Sequence, residues 1–305
     1  MIRTRQFLAF FLLASFAALA LSARSAELQR HTVSVDGHPF AVWEKSAPDA
    51  SEAILLVHGR TWSALPDFDL QVEGEQLSFM DSLARAGYAT FAVDLRGYGS
   101  TPRDPSGWMT PKQAAGDVAA VLAWIAQQQD WALEPHLFGW SMGSSISHLT
   151  AQTRPELLAS LTLYGFWKDL DEPEAEDTPN MQPLRIVNTA EAAASDFITP
   201  GSISQRAIDV YVQASIEADP IKTDIRSLSD YNELDPAKLT MPTLVIVGEH
   251  DPIAPQAKQA KLFERIGTGH KQWVVVPGGD HAAHLEAPRD YFLRQFITFL
   301  EGVPR

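Results

Sequence analysis

Apolar residues fall in short, nearly unbroken runs along this chain: Ala53 to Val57, Tyr88 to Val93, Leu137 to Trp140, Leu157 to Tyr164, Thr243 to Val247 and Gln272 to Val276. Ala53 to Val57 and Tyr88 to Val93, which do not alternate, predict strands buried on both faces, the mark of a parallel sheet covered by helices, and the other runs read as further strands of that sheet. Helical spacing fills the intervals: Glu75 to Ala86 before Gly87, Thr110-Pro111 to about Gln129, Ser141 to about Gln152, Gln256 to Ile266, and Arg289 to Leu300. Gly87 reads as a C-terminal cap and Thr110-Pro111 as a cap followed by a first-turn proline. Ahead of these, His31 to Val35 and Phe40 to Trp43 flank Asp36-Gly37, a hairpin signal. The pattern predicts an α/β fold: a mostly parallel sheet with helices on both faces and an antiparallel beginning.

One interval departs from this rhythm. Between Phe166 and Leu239 no run resembles a buried strand, and Asp169, Asp171, Glu172, Glu174, Glu176 and Asp177 crowd together with Pro173 and Pro179. That cluster reads as a solvated loop, since its spacing lacks the ligand order of a calcium loop. Further on, Ser202 with Gln205 forms a capping box, and Ile203, Ala207, Val210, Tyr211 and Ala214 recur at helical intervals. An insertion between two strands of one sheet sits above the sheet's carboxyl edge. We therefore expect a core of residues 26–165 and 240–305 and a helical cap of residues 166–239.

Composition changes the picture at the ends and in charge. Met1 to Arg5 carries two arginines, Phe7 to Leu21 is apolar apart from Ser15, and small residues follow at Ser22, Ala23, Ser25 and Ala26. This predicts a secretory signal peptide over residues 1–25, its apolar run falling short of the roughly 20 residues that span a bilayer. The mature chain is then expected in a bacterial periplasm or medium, with no membrane attachment after cleavage. The formal net charge is −14, which argues against a nucleic-acid partner, and a local basic pocket around Arg60 or Arg206 remains compatible with it. There is no cysteine, so thiol chemistry, disulfides and Cys-based metal sites are absent from the chain.

Candidate chemistry gathers where the predicted strands end. Leu137-Phe138-Gly139-Trp140-Ser141-Met142-Gly143 runs from a strand into a serine with glycine two residues away on each side, the pattern of a nucleophile elbow. The amide of Met142 would face a reacting carbonyl, and the amide of Arg60, in His58-Gly59-Arg60-Thr61-Trp62, is the second candidate oxyanion donor. His58 reads as orienting that loop by hydrogen bonding. Asp94 and Arg96, among the glycines of Asp94 to Ser100, read as an ion pair pinning a tight loop. Gly248-Glu249-His250-Asp251-Pro252 follows one late strand, and Pro277-Gly278-Gly279-Asp280-His281 the other. Ser141, Asp251 and His281 thus each follow a strand, in the order nucleophile, acid, base. Asp169 is an alternative acid and His284 an alternative base. Trp62, Trp140, Phe166, Trp167 and His284 are the expected lining of the substrate pocket.

On these motifs the chain resembles the α/β-hydrolase fold superfamily of serine hydrolases over essentially its whole mature length. The resemblance implies a lid formed by residues 166–239, as in capped lipases and esterases, and catalysis without metal or cofactor through an acyl-enzyme. A serine at the elbow sets the chain apart from the aspartate-nucleophile dehalogenases and epoxide hydrolases of this fold. Two departures stand out: Ser144 where many relatives carry a second glycine, and the bulky Arg60 beside the oxyanion loop. The expected activity is hydrolysis of a small or medium hydrophobic carboxylic ester. Two alternatives stay open, an amidase or aminopeptidase of the proline iminopeptidase kind, which the acidic insertion favours, and a non-catalytic binding member of the fold.

Overall fold

The computed structural model describes residues 26–178 and 182–305; the expected signal peptide lies outside them. Eight strands form one sheet: β1 (Gln29–Val35), β2 (His38–Ser46), β3 (Ala53–Val57), β4 (Ala89–Val93), β5 (His136–Trp140), β6 (Ser160–Tyr164), β7 (Thr243–Gly248) and β8 (Lys271–Val276). Their spatial order is β1-β2-β4-β3-β5-β6-β7-β8, with β1 and β2 antiparallel and the rest parallel. Asp36 and Gly37 take φ of 49° and 81°, the left-handed pair that a two-residue hairpin needs. Every residue of β3, β4, β5, β6 and β7 is buried, as uninterrupted apolar runs require.

Helices cover both faces. α3 (Pro111–Ile125) and α4 (Met142–Thr153) pack on one, around Val57, Val118 and Leu161; α2 (Phe79–Arg85) and α8 (Arg289–Glu301) pack on the other, around Leu56, Phe79, Phe138 and Phe296. Thr110 caps α3 by accepting from the Gln113 amide, with Pro111 in the first turn. α2 starts later than its spacing suggests, because the Ser78 hydroxyl takes the Asp81 amide and fixes the first turn there. α7 (Gln256–Arg265) joins β7 to β8.

Among its described residues the segment 166–239 contributes no strand to the sheet, as expected, and holds α5 (Ala190–Ala194) and α6 (Gln205–Ala218). The cap of α6 is Ser204, which accepts from the Ala207 amide, whereas Ser202 is drawn away by Glu286 at 2.7 Å. Ala207 and Tyr211 of α6 pack against Trp62, Leu70 and Leu285 in a third apolar cluster. Beneath it lies α1 (Ala64–Phe68), too short to leave a periodic signature in the sequence.

Register decides what meets at the sheet's carboxyl edge. Val57 of β3 pairs with Gly139 of β5, and Gly248 of β7 with Val276 of β8, so the loops after each pair emerge side by side. β3 has β4 on one flank and β5 on the other, which is the switch point where such sheets open a crevice.

Candidate active site

Ser141 leaves β5 with φ 56° and ψ −118°, a positive φ that a non-glycine residue holds only when its surroundings impose it. Its amide donates to the Tyr164 carbonyl at 2.9 Å. The flanking glycines are there for space: a Cβ on Gly139 would collide with the Gly143 carbonyl, and one on Gly143 with the carbonyls of Val57 and His58. Ser144, where the second glycine was missing, fits by turning its hydroxyl to the Ser141 carbonyl at 2.6 Å.

The two late loops are stitched together. The amides of Glu249 and His250 donate to the carbonyls of Val276 and Gly279, and any Cβ on Gly248 would strike the Asp280 carbonyl. This close approach sets Asp251 Oδ2 2.8 Å from His281 Nδ1. The other oxygen, Oδ1, accepts from the Ile253 and Ala254 amides at 2.9 Å each, which fixes the carboxylate's orientation. Gly165, with φ 60°, leaves room for the ring: a Cβ there would sit 2.9 Å from His281 Cε1. Trp140 Nε1 donates to the His281 carbonyl at 2.7 Å. His281 Nε2 and Ser141 Oγ hydrogen-bond to no protein group among the described residues, and both residues line one cavity of about 350 Å³.

His58 orients its loop as expected. It is wholly buried, burial pushes its pKa down to about 4, and its neutral ring accepts the Leu95 amide at Nε2 and so donates from Nδ1 to the Gly59 carbonyl. Tyr98 anchors the loop from the other side by donating to the Arg60 carbonyl. The amides of Arg60 and Met142 donate to no protein acceptor among the described residues, and both residues border the cavity.

Asp94 and Arg96 do not pair with each other. Asp94 is consumed by the Ala64 and Ser100 amides and the Trp43 indole, while Arg96 reaches Asp117 at 2.6 Å and Asp104 at 3.0 Å. Trp62, Trp140 and Trp167 line the cavity, but Phe166 and His284 do not. Phe166 turns into the core beside His148, and His284 points back beneath the site, donating from Nε2 to the Asp67 carbonyl and packing 4.6 Å from the Trp140 ring. Burial pushes the His284 pKa down to about 3. Asp169 lies outside the cavity, paired with Lys261.

Two lining carboxyls escaped sequence reasoning. Asp67 of α1 accepts the Gly59 amide at 3.2 Å, and the Tyr211 hydroxyl bridges Asp67 Oδ1 (3.1 Å) and Asp196 Oδ2 (2.9 Å). Burial, joined for Asp67 by the charge of Asp196, raises the pKa of both. One hydroxyl proton cannot serve two carboxylates, so one of the pair carries a proton of its own. No spacing rule marks Asp67 or Asp196; only the acidity of the insertion hinted at the second.

Compared with known proteins, the chain is 26% identical over 243 residues to the pimeloyl-[acyl-carrier protein] methyl ester esterase of Aeromonas salmonicida (strain A449), covering 70% of this chain and 86% of that one. It is 25% identical over 244 residues to lipase 3 of Moraxella sp. (strain TA144), covering 72% and 71%. Among solved structures, the thermophilic esterase from Thermogutta terrifontis superposes with a TM-score of 0.61 at 21% identity, over 90% of this chain and 99% of that one, which shows the shared α/β-hydrolase fold. A family model matches residues 48–288, well over half of the chain, and the protein belongs to that hydrolase family, Hydrolase_4, described as serine aminopeptidase, S33.

Proposed function

We propose that the protein hydrolyses small or medium hydrophobic carboxylic esters through an acyl-enzyme. The observation that carries this is the Asp251–His281 contact of 2.8 Å in the cavity that also holds Ser141 at its strained turn. Ser141 Oγ attacks the ester carbonyl carbon as its proton passes to His281 Nε2, and the carbonyl oxygen becomes an oxyanion between the amides of Arg60 and Met142. The imidazolium is held on Asp251 through Nδ1. Collapse breaks the ester bond, the departing alkoxide takes the proton from Nε2, and water then repeats the sequence on the acyl group. Residues 166–239 act as the cap, contributing Asp196, Ile225, Leu228 and Tyr231 to the cavity. Export is part of the proposal and is tested by N-terminal sequencing of the mature protein.

The names of the esterase and lipase relatives support the ester. The cavity's two carboxyls favour a second reading, an aminopeptidase whose substrate ammonium rests between Asp67 and Asp196. A panel of p-nitrophenyl esters of graded chain length beside aminoacyl-p-nitroanilides separates the two, with ester turnover expected to dominate. Fluorophosphonate should label Ser141 alone, and a label mapped to Ser144 or Ser145, or preferential anilide turnover, overturns the reading.

A further inference from the structure

A second cavity of about 250 Å³ adjoins the first, and Arg60 and Ile225 line both. Its charged lining consists of Arg60, Lys222 and Arg226 with Asp177 and Asp224. The carboxylates are already engaged. Asp224 receives Arg226 at 2.7 Å and the Leu184 amide at 2.9 Å, and Asp177 receives the Ser227 amide at 2.7 Å. Arg60 and Lys222 make no ion pair among the described residues. The chain has 38 acidic side chains against 24 basic ones, yet among the described residues no carboxylate comes within ion-pair distance of either cation, and Asp196 acts on Lys222 only from farther away.

The two cations repel each other. Burial, and then the positive charge of Arg60, lowers the Lys222 pKa, against a smaller opposing pull from Asp196. An oxyanion between them removes the repulsion, and a guanidinium suits a carboxylate or phosphate because its N–H groups match two oxygens at once. Arg60 also joins the two cavities, lining both.

We propose that the two cavities form one site, in which Arg60 and Lys222 bind a negatively charged end, carboxylate or phosphate, of the substrate whose ester lies at Ser141. The inference rests on the ester reading above and names the kind of ester. It places the anion several bonds from the scissile carbonyl, with Leu184 and Ile186 as an apolar wall beside it.

The test uses the whole protein and p-nitrophenyl esters of matched length: a neutral butyrate, a hemiglutarate ending in carboxylate, a phosphate-bearing acyl ester and a trimethylammonio ester. The hemiglutarate or the phosphate ester should exceed the butyrate in kcat/KM by about tenfold at low ionic strength, and the gap should narrow as salt is added. Which of the two leads identifies the anion. Lys222→Glu should reverse the order, so that the cationic ester overtakes the anionic ones, a gain that misfolding cannot imitate. Equal turnover of neutral and anionic esters by the wild type, or a Lys222→Glu protein that slows every ester by one factor, overturns the proposal. If no ester is turned over, the ester reading falls and the anion site is tested by titrating glutarate and inorganic phosphate against the fluorescence of Trp62, Trp140 and Trp167. Saturable quenching lost in Lys222→Glu supports the site, and an unresponsive wild type refutes it.

Discussion

Replacing Asp251 by asparagine keeps the shape of the side chain and inverts its chemistry. Oδ1 takes two backbone N–H groups, from Ile253 and Ala254, so the amide oxygen of an asparagine must occupy that place; an NH₂ there would face two donors. The NH₂ therefore falls where Oδ2 now meets His281 Nδ1. Facing a donor, the ring must present a bare Nδ1, and its proton moves to Nε2. An Nε2 that already carries hydrogen cannot take the proton of Ser141. The expected loss in kcat is about 10⁴-fold, or roughly 5 kcal/mol of transition-state stabilisation. KM should change little, because Asp251 does not line the cavity. The fold should survive, since both backbone hydrogen bonds are kept.

The assay is initial-rate hydrolysis of p-nitrophenyl butyrate by wild type, Asp251→Asn and Asp169→Asn, beside the rate of fluorophosphonate labelling. Labelling should slow with turnover in Asp251→Asn, and Asp169→Asn should match the wild type. Nitrogen NMR of the His281 ring reads the cause directly: hydrogen on Nδ1 in the wild type, on Nε2 in the variant. An Asp251→Asn enzyme within tenfold of wild type, or one that loses activity with the proton still on Nδ1, refutes the reasoning. Should Asp169→Asn be the crippled variant, the acid has been misassigned.

Gly165→Ala places a methyl 2.9 Å from His281 Cε1 on a backbone of φ 60°, so kcat should fall on the order of 10²-fold, with unfolding titrations showing about 1 kcal/mol of lost stability. A fall in stability with unchanged kcat would show that the ring has room to yield. His284→Ala should lower the melting temperature and leave kcat within a few-fold, because the ring is packed beneath the site with no access to the cavity. Lys45→Met strands Asp69 and Asp81, which Lys45 holds at 2.7 and 2.9 Å in the interior, and should cost about 3 to 5 kcal/mol in denaturant midpoint analysis. Burial raises the Glu286 pKa to about 8 from an ordinary 4.5, so the folded state keeps a proton that the unfolded chain surrenders first. That contribution to stability is full below pH 4.5 and is lost as pH rises towards 8. Glu286→Gln should therefore flatten the decline of melting temperature over that window, and parallel curves for the two proteins would contradict it.

Strands were legible because burial on both faces leaves no choice of residue: Ala53 to Val57 was readable to the residue. The elbow was legible because the collisions at Gly139 and Gly143 admit no side chain. That Asp251 and His281 meet was readable because each follows a strand whose end sits at the sheet's carboxyl edge. Lining was harder to read. Phe166 and His284 stand next to the right loops in sequence, but a position in a loop does not say which way its side chain turns, and both turn inward. The same gap hid Asp67, which sits in a five-residue helix where no period can form. Arg96 misled for another reason: its partners Asp104 and Asp117 are chosen by tertiary approach, against which adjacency to Asp94 counts for little.

The hydrogen bonds that run from α6 into the loop after β3 bear on how this protein could be re-engineered. Tyr211 holds Asp67, which holds the Gly59 amide, and Asp219, just past the helix, takes the amides of Ser63 and Gly99. Residues 166–239 are consequently not a cassette that can be exchanged between relatives to borrow a specificity. A transplanted segment lacking a hydroxyl at 211 and a carboxylate at 219 would leave Asp67 without its tyrosine partner and the Ser63 and Gly99 amides without their acceptor, and the loop that carries Gly59 would shift along with the cavity. Chimeras should carry Asp67, Ser63 and the donor's own partners for them as one inherited block.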